Sequence, residues 1–235
     1  MKRALILLIA FSFSTLVVTA QAKIPKSYQA IYTVKYHDIP AGTVTHILTT
    51  DKSGHYKFDA LTRSTLLFLH LHIDEQSTGK LTSQGPRPDK YVYRYHFFNN
   101  KKLININFDW KNHIASSQKD ERHYEAKIPT NAQDKLSYQL AMRYYLLNKI
   151  HPLTYHLVNR GNIDIYQFKQ VGQETLDTPI GKIKTIKIRR INDDQDDDIF
   201  EFWTAPQYDY LLIQLKEINN GEVVAEAHLY KLTFT

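Results

Sequence analysis

The chain has 235 residues, 43% of them hydrophobic and 23% charged, with 30 basic against 24 acidic side chains and no cysteine. That length and composition give room for a substantial core, and the missing cysteine excludes disulfides, thiol nucleophiles and thiolate metal sites. The net charge of +6 falls to +4 once Lys2 and Arg3 are set aside; a surplus so modest, with its cations scattered among strands, argues against nucleic acid as a partner.

At the N-terminus Lys2 and Arg3 precede an apolar stretch from Ala4 to Val18 and the small-residue end Ala20-Gln21-Ala22. This is the layout of a secretory signal peptide. The apolar run is shorter than the ~20 residues a membrane-spanning helix needs. It also carries Ser12, Ser14 and Thr15 and leads directly into Lys23 and Lys26. The expectation is a signal peptide over residues 1–22, cut after Ala22, then a single β-rich domain over 23–235 in the periplasm. The mature chain would carry no transmembrane segment and, with Lys23 after the cut and no cysteine, no lipoprotein anchor.

From Tyr28 onward, polar and apolar residues alternate with the period of two that places side chains on opposite faces of a sheet. Tyr28, Ala30, Tyr32, Val34 and Tyr36 share one face of the first strand. Residues 38–42 turn the chain into a strand near Thr43–Thr50, and Asp51-Lys52-Ser53-Gly54 turns it into another near His55–Arg63. Further strands are expected at Leu66–Asp74, Ser77–Thr82, Lys90–Phe98, Leu103–Trp110, Tyr155–Arg160, Ile163–Val171, Gly181–Ile191, Ile199–Thr204, Tyr208–Ile218 and Val223–Phe234. Short connections make successive strands antiparallel neighbours. No helix alternates with them, which excludes a doubly wound parallel sheet.

A helix is expected from about Asp134 to Asn148, a stretch without Gly or Pro in which Leu136, Leu140, Tyr144 and Leu147 recur near helical spacing. Asn131 with Asp134 makes a weakened capping box, and Pro152 closes the far end. The fold class is therefore mainly β: a single strongly curved antiparallel sheet, half-barrel or open barrel, with one long helix flanking or covering it.

Several blocks now fall in a recognisable order: Tyr32-Thr33-Val34-Lys35-Tyr36 with Ile39-Pro40-Ala41-Gly42, Asp134-Lys135-Leu136-Ser137-Tyr138, the run Gly172 to Gly181, and Phe202-Trp203-Thr204-Ala205-Pro206 before Tyr208-Asp209-Tyr210-Leu211. Together they resemble the periplasmic family called domain of unknown function 3108. The chain departs from that pattern at Leu211-Leu212, where Leu-Pro is common, and in its acidic Asp193–Asp198 turn. The resemblance implies an exported β protein, related in architecture to half-barrel lipoprotein carriers, and it implies no catalytic residues.

The residues themselves offer little chemistry. The acidic run at 193–198 lacks the glycine and terminal glutamate of a calcium loop and reads as a solvated turn. His70 and His72 leave one strand face together, but a catalytic zinc wants a third protein ligand and none stands at a diagnostic offset. No Gly-x-Ser-x-Gly elbow is present. No metal, cofactor or catalytic residue is assigned.

The aromatic pattern says more. Tyr91, Tyr93, Tyr95 and Phe97 share one face of a strand, and Ile104, Ile106, Phe108 and Trp110 share one face of the next. One helix cannot cover so much apolar sheet, so the sheet either packs on itself or leaves a lined concavity. Candidate ligand-binding residues are Tyr91, Tyr93, Tyr95, Phe108, Trp110, Leu140 and Tyr144. The expected function is non-enzymatic binding of a lipid, another amphiphile or an envelope protein in that concavity. Two alternatives stand beside it: a scaffold of envelope assembly with a filled core, and a hydrolase of envelope glycans or lipids. N-terminal sequencing of the protein from a periplasmic fraction should read Lys23 first; an intact Met1 in washed membranes would contradict the signal peptide.

Overall fold

The computed structural model describes residues 22–64, 71–191 and 198–235. Residues 1–21 of the expected signal peptide, residues 66–70 of one expected strand, including His70, and residues 193–197 of the acidic run lie outside the described residues.

The first half of the sheet is an unbroken antiparallel meander. It comprises β1 (Tyr28–Tyr36), β2 (Ile39–Thr50), β3 (His55–Ser64), β4 (Leu71–Thr82), β5 (Gly85–Phe97), β6 (Asn100–Asp109), β7 (Ile114–Lys119) and β8 (Arg122–Lys127). A two-residue strand β9 (Ala132–Gln133) and the helix α1 (Ser137–Leu147) follow. A second meander then runs through β10 (Leu153–Asn159), β11 (Asn162–Thr178), β12 (Gly181–Ile191), β13 (Ile199–Ala205), β14 (Leu211–Asn219) and β15 (Glu222–Phe234). Antiparallel pairing of β1 with β15 joins the halves into one open 15-stranded sheet, running from β8 at one edge through β1 and β15 to β9 at the other.

The curvature is forced by what the helix touches. α1 contacts both β5 and β10, which stand far apart in the strand order, so the sheet must wrap around it. The edges approach each other without a shared ladder: Ser117 on β7 donates its hydroxyl to the Arg160 carbonyl at the β10–β11 turn, 3.2 Å away. A helix inside such a sheet has apolar neighbours on most of its circumference. Beside the expected Leu136, Leu140 and Tyr144, the structure therefore buries Ala141, Met142 and Leu146, whereas Leu147 is half exposed.

The turn that leads into the helix is built on Asp134 and not on an Asn131 box. Asp134 Oδ1 accepts from the backbone N–H groups of Leu136 and Ser137 at 2.8 and 2.7 Å, and Ser137 Oγ accepts from the Asp134 N–H at 2.9 Å. This reciprocal cap satisfies donors that a helix start leaves unpaired. Asp134 Oδ2 accepts from Ser77 Oγ on β4 at 2.7 Å, and Ser77 is in turn bonded to the Tyr56 hydroxyl on β3. All of these groups are buried.

Three local differences from the sequence expectation have physical causes. The two segments expected at Leu66–Asp74 and Ser77–Thr82 meet in one continuous strand over Leu71–Thr82, because Glu75 and Gln76 keep their pairings with β3 and β5. β7 and β8 were not expected. Tyr36, expected on the inner face of β1, is 50% exposed because it is the last residue of the strand, opposite Ala225 at the end of the interior. Among the described residues no helix is long and apolar enough to cross a membrane.

Burial raises the Asp134 carboxyl to about 6, against the bonds from Ser77, Ser137 and Leu136 that favour ionisation. An unfolded aspartate ionises near 3.8, so between that pH and about 6 the folded chain keeps a proton the unfolded chain has lost. Stability from this group is complete below pH 3.8 and lost as the pH rises through 6. Denaturant unfolding of the wild type and Asp134→Asn at pH 4 and pH 7 should show the substitution costing more at pH 4, by up to about 3 kcal/mol. A cost equal at both pH values would contradict the burial of an ionisable Asp134.

Candidate functional site

Toward the β8 edge the interior is packed. Tyr56, Phe58, Tyr91, Ile106, Phe108 and Ala115 join Leu136 and Leu140 in one continuous core. On the other flank of α1, Ala141, Met142 and Leu146 meet Tyr155, Leu157, Phe168 and Phe202. Where α1 faces β13, β14, β15, β1 and β2, both clusters supply wall residues, Tyr28 and Tyr32 from the first and Phe202 from the second, but they leave between them a cavity of about 280 Å³.

The alternation of β1 builds one wall, with Tyr28 and Tyr32 buried and Val34 partly exposed. Val34 pairs with Ala227, Ala227 with Leu215, Leu215 with Phe202 and Phe202 with Ile188, so one apolar row crosses five strands on the inner face. Tyr28 and Val34, both on the lining, stand six residue steps apart, about 20 Å along the strand. The Tyr32 hydroxyl reaches past β15 and donates to the Leu212 carbonyl on β14 at 3.0 Å, fixing the wall there. Tyr138, Leu140, Met142 and Arg143 form the helix side.

Arg143 is the unusual member of this lining. It is 6% exposed, its guanidinium carbon lies 4.7 Å from the centre of the Tyr28 ring, and its Nε donates to the Asp209 carbonyl at 3.1 Å. Its terminal nitrogens Nη1 and Nη2 are buried and meet no acceptor in good hydrogen-bond geometry, the neutral Tyr28 hydroxyl being the group beside them, and Thr204 Oγ1 on the same lining is also without a partner. A cation buried without an anion is costly. The titratable groups around it respond. Burial, then the Arg143 charge, pushes His46 down to about 4 and keeps it neutral; burial raises Tyr28 and Tyr32, with Arg143 opposing in both. At the rim, burial would raise Glu226, yet Lys35 and His228 hold it below its usual range.

The residues selected from sequence are not brought to one place. Leu140 lines this cavity. Tyr144 lies on the β5 side of the helix and donates its hydroxyl to the Ser83 carbonyl at 3.0 Å. Tyr91 and Phe108 sit in the packed core; the Tyr91 hydroxyl donates to Glu75, whose carboxyl burial raises. Tyr93 is half-buried beside that core, and Tyr95 lies under the Lys102 ammonium at the surface. Trp110 stacks on Phe108 with centroids 5.6 Å apart and lines a separate, wider polar recess with Arg87, His113 and Gln133.

Arg143, His46, Phe202 and Leu215 were not among the sequence candidates. Only Arg143 gave a readable signal: it stands three residues after Leu140, against the apolar stripe of the helix, where a charge is out of place.

The other chemical candidates form no comparable site. His72 faces His96 across β4 and β5 with ring centroids 6.5 Å apart. Among the described residues no three His, Asp or Glu side chains gather as metal ligands. Asp198, the described end of the acidic run, accepts from Asn219.

A family model described as a protein of unknown function (DUF3108) matches residues 31–228, which takes in most of the cavity's lining. No curated protein matches the chain. Among solved structures, the chain is similar to a β-barrel-like protein of a domain of unknown function, DUF1849, from Brucella abortus: TM-score 0.57 at 10% identity, over 90% of this chain and 99% of that one. That likeness shows the fold. A predicted lipoprotein from Parabacteroides distasonis (TM-score 0.39, 13% identity, 89% of this chain and 97% of that one) and a predicted exported protein with a YmcC-like fold from Bacteroides fragilis (TM-score 0.34, 10% identity, 91% and 100%) are more distant.

Proposed function

Because the chain belongs to the DUF3108 family, whose description carries no activity, we propose from the geometry that it is a non-enzymatic carrier of a hydrophobic or amphiphilic ligand in the bacterial envelope. The observation behind this reading is the unfilled, apolar-walled cavity between α1 and the β13–β2 arc, next to two well-packed core clusters. Interiors are normally filled to the density of organic crystals, and ligand sites are the usual exceptions. The mouth is lined by partly exposed Val34, Val44, Leu215, Ala225 and Ala227. Beyond it Tyr36 and Ile39, 50% and 52% exposed, form an apolar rim at which a ligand could pass to or from a membrane or another protein.

Export fits this reading. The Lys23 N–H donates to Asn148 Oδ1 at 2.8 Å, and Asn148 Nδ2 donates back to the Lys23 carbonyl at 2.8 Å, beside the last turn of α1. Cleavage after Ala22 would turn that N–H into an α-ammonium at the negative end of the helix dipole, where positive charge is favourable. A hydrolase has less support: the Tyr56–Ser77–Asp134 and Tyr91–Glu75 groups are engaged with one another and with the helix start, and none lines the cavity.

Carrier and scaffold separate on one substitution. Ala227 stands on the inner row between Leu215 and Val34. In a filled core Ala227→Trp would cost about 1–3 kcal/mol by overpacking. In a cavity the indole occupies free space. The wild type should take up the neutral probe N-phenyl-1-naphthylamine saturably. Ala227→Trp should lose that uptake while keeping its denaturant midpoint. Absence of uptake by the wild type, together with a destabilised variant, would favour the scaffold.

A further inference from the structure

We propose that Arg143 receives the carboxylate of a single-chain aliphatic acid whose tail lies along the inner face of β1 toward Val34; this assignment rests on the carrier reading and adds the ligand's class to it. Three features of the cavity lead to it.

The first is the state of the guanidinium. One of its three nitrogens is bonded, to the Asp209 carbonyl, and its face is occupied by the Tyr28 ring. Nη1 and Nη2, the pair that forks onto a planar carboxylate, are buried and meet no acceptor in good hydrogen-bond geometry. Among the described residues Arg143 makes no ion pair. An anion placed against Nη1 and Nη2 would supply what the protein omits, and Thr204 Oγ1 on the same lining is a further unpartnered donor.

The second is the count of charge. His46 is neutral, and Glu226 at the rim is engaged with Lys35 and His228, so Arg143 is the fixed positive charge among the described lining residues. One positive charge matches a carboxylate. A phosphate monoester, carrying about −1.5 to −2, would leave buried negative charge uncompensated.

The third is shape. The volume of about 280 Å³ lies at the lower end for small-molecule sites, enough for one narrow chain. The polar end, at Tyr28 and Arg143, is next to the helix, and the apolar end, at Val34, Ala225 and Ala227, opens outward. An acid would enter head first and leave its tail among aliphatic side chains.

Isothermal titration with dodecanoate, dodecanol and dodecyl phosphate tests the assignment. Dodecanoate should bind the wild type about 10- to 100-fold more tightly than dodecanol, as expected for a charge-assisted pair shielded from water. Arg143→Gln should abolish that preference while leaving the affinity for dodecanol intact, and Arg143→Lys should restore part of it. Equal binding of acid and alcohol by the wild type, or a preference that survives in Arg143→Gln, would overturn the assignment and leave the carrier reading standing. Tighter binding of dodecyl phosphate than of dodecanoate would overturn the choice of carboxylate. Failure of the wild type to bind any of the three would remove the carrier reading as well. Should Arg143→Gln fail to fold, the wild-type comparison of acid with alcohol still decides.

Discussion

The fold depends on how one helix is fastened inside a sheet of 15 strands. The Asp134 carboxyl makes that fastening: one oxygen caps the first turn of α1, and the other accepts from Ser77 on β4, which connects to Tyr56 on β3. A cap is worth about 1 kcal/mol to a helix. Here it also sets where the helix stands, because its partners belong to the sheet. Leu136 and Leu140 then turn toward the first meander while Ala141 and Met142 turn toward the second. Arg143 falls between them, facing the cavity that the two clusters leave unfilled along the β13–β2 arc.

That arc keeps its shape without a filled interior, and its outer face indicates how. The row Arg189–Glu201–Lys216–Glu226–Lys35 crosses β12, β13, β14, β15 and β1 in direct register, with alternating charge. Lys187 and Arg189 each reach Glu201 at 2.6 Å, and Lys35 reaches Glu226 at 3.1 Å. Trp203 lies beneath the Lys187 ammonium and donates to Glu174. The lysines and Arg189 are partly exposed while Glu201 is buried, and opposite charges directly across strands pin the register. Because side chains alternate, the apolar row Ile188–Phe202–Leu215–Ala227–Val34 is the inner counterpart of this ladder. Register held from outside lets the inner side keep an unfilled cavity.

Most of the strand order was legible in the sequence because period-two alternation and short turns are local signals. The helix was legible for the same reason. β7 and β8 escaped because their inward residues, Ala115, Ser117 and Ala126, are small or polar and carry no hydrophobic alternation. Ser117 instead reaches the Arg160 carbonyl across the gap between the two sheet edges, a contact that no local pattern announces. The aromatic faces of β5 and β6 were correctly seen as apolar, but sequence does not say which apolar face meets another. Tyr91 and Phe108 fill the core, whereas the cavity is lined by β1, β2 and the last three strands, brought together by the pairing of β1 with β15 near the two chain ends. Arg143 could have been suspected from its place in the helical stripe, but its lack of a counter-ion exists only in three dimensions.

The proposed carrier function rests on that combination of a fastened helix, a register held by outer charges and an apolar space lined by one buried cation. Native mass spectrometry of the protein purified under non-denaturing conditions from a native periplasmic extract tests this account most directly. The protein should carry a stoichiometric adduct that is removed by organic extraction and identified in the extract as a single-chain acid. A protein that runs at its unliganded mass, with an extract no richer in amphiphiles than that of a control protein, would contradict it.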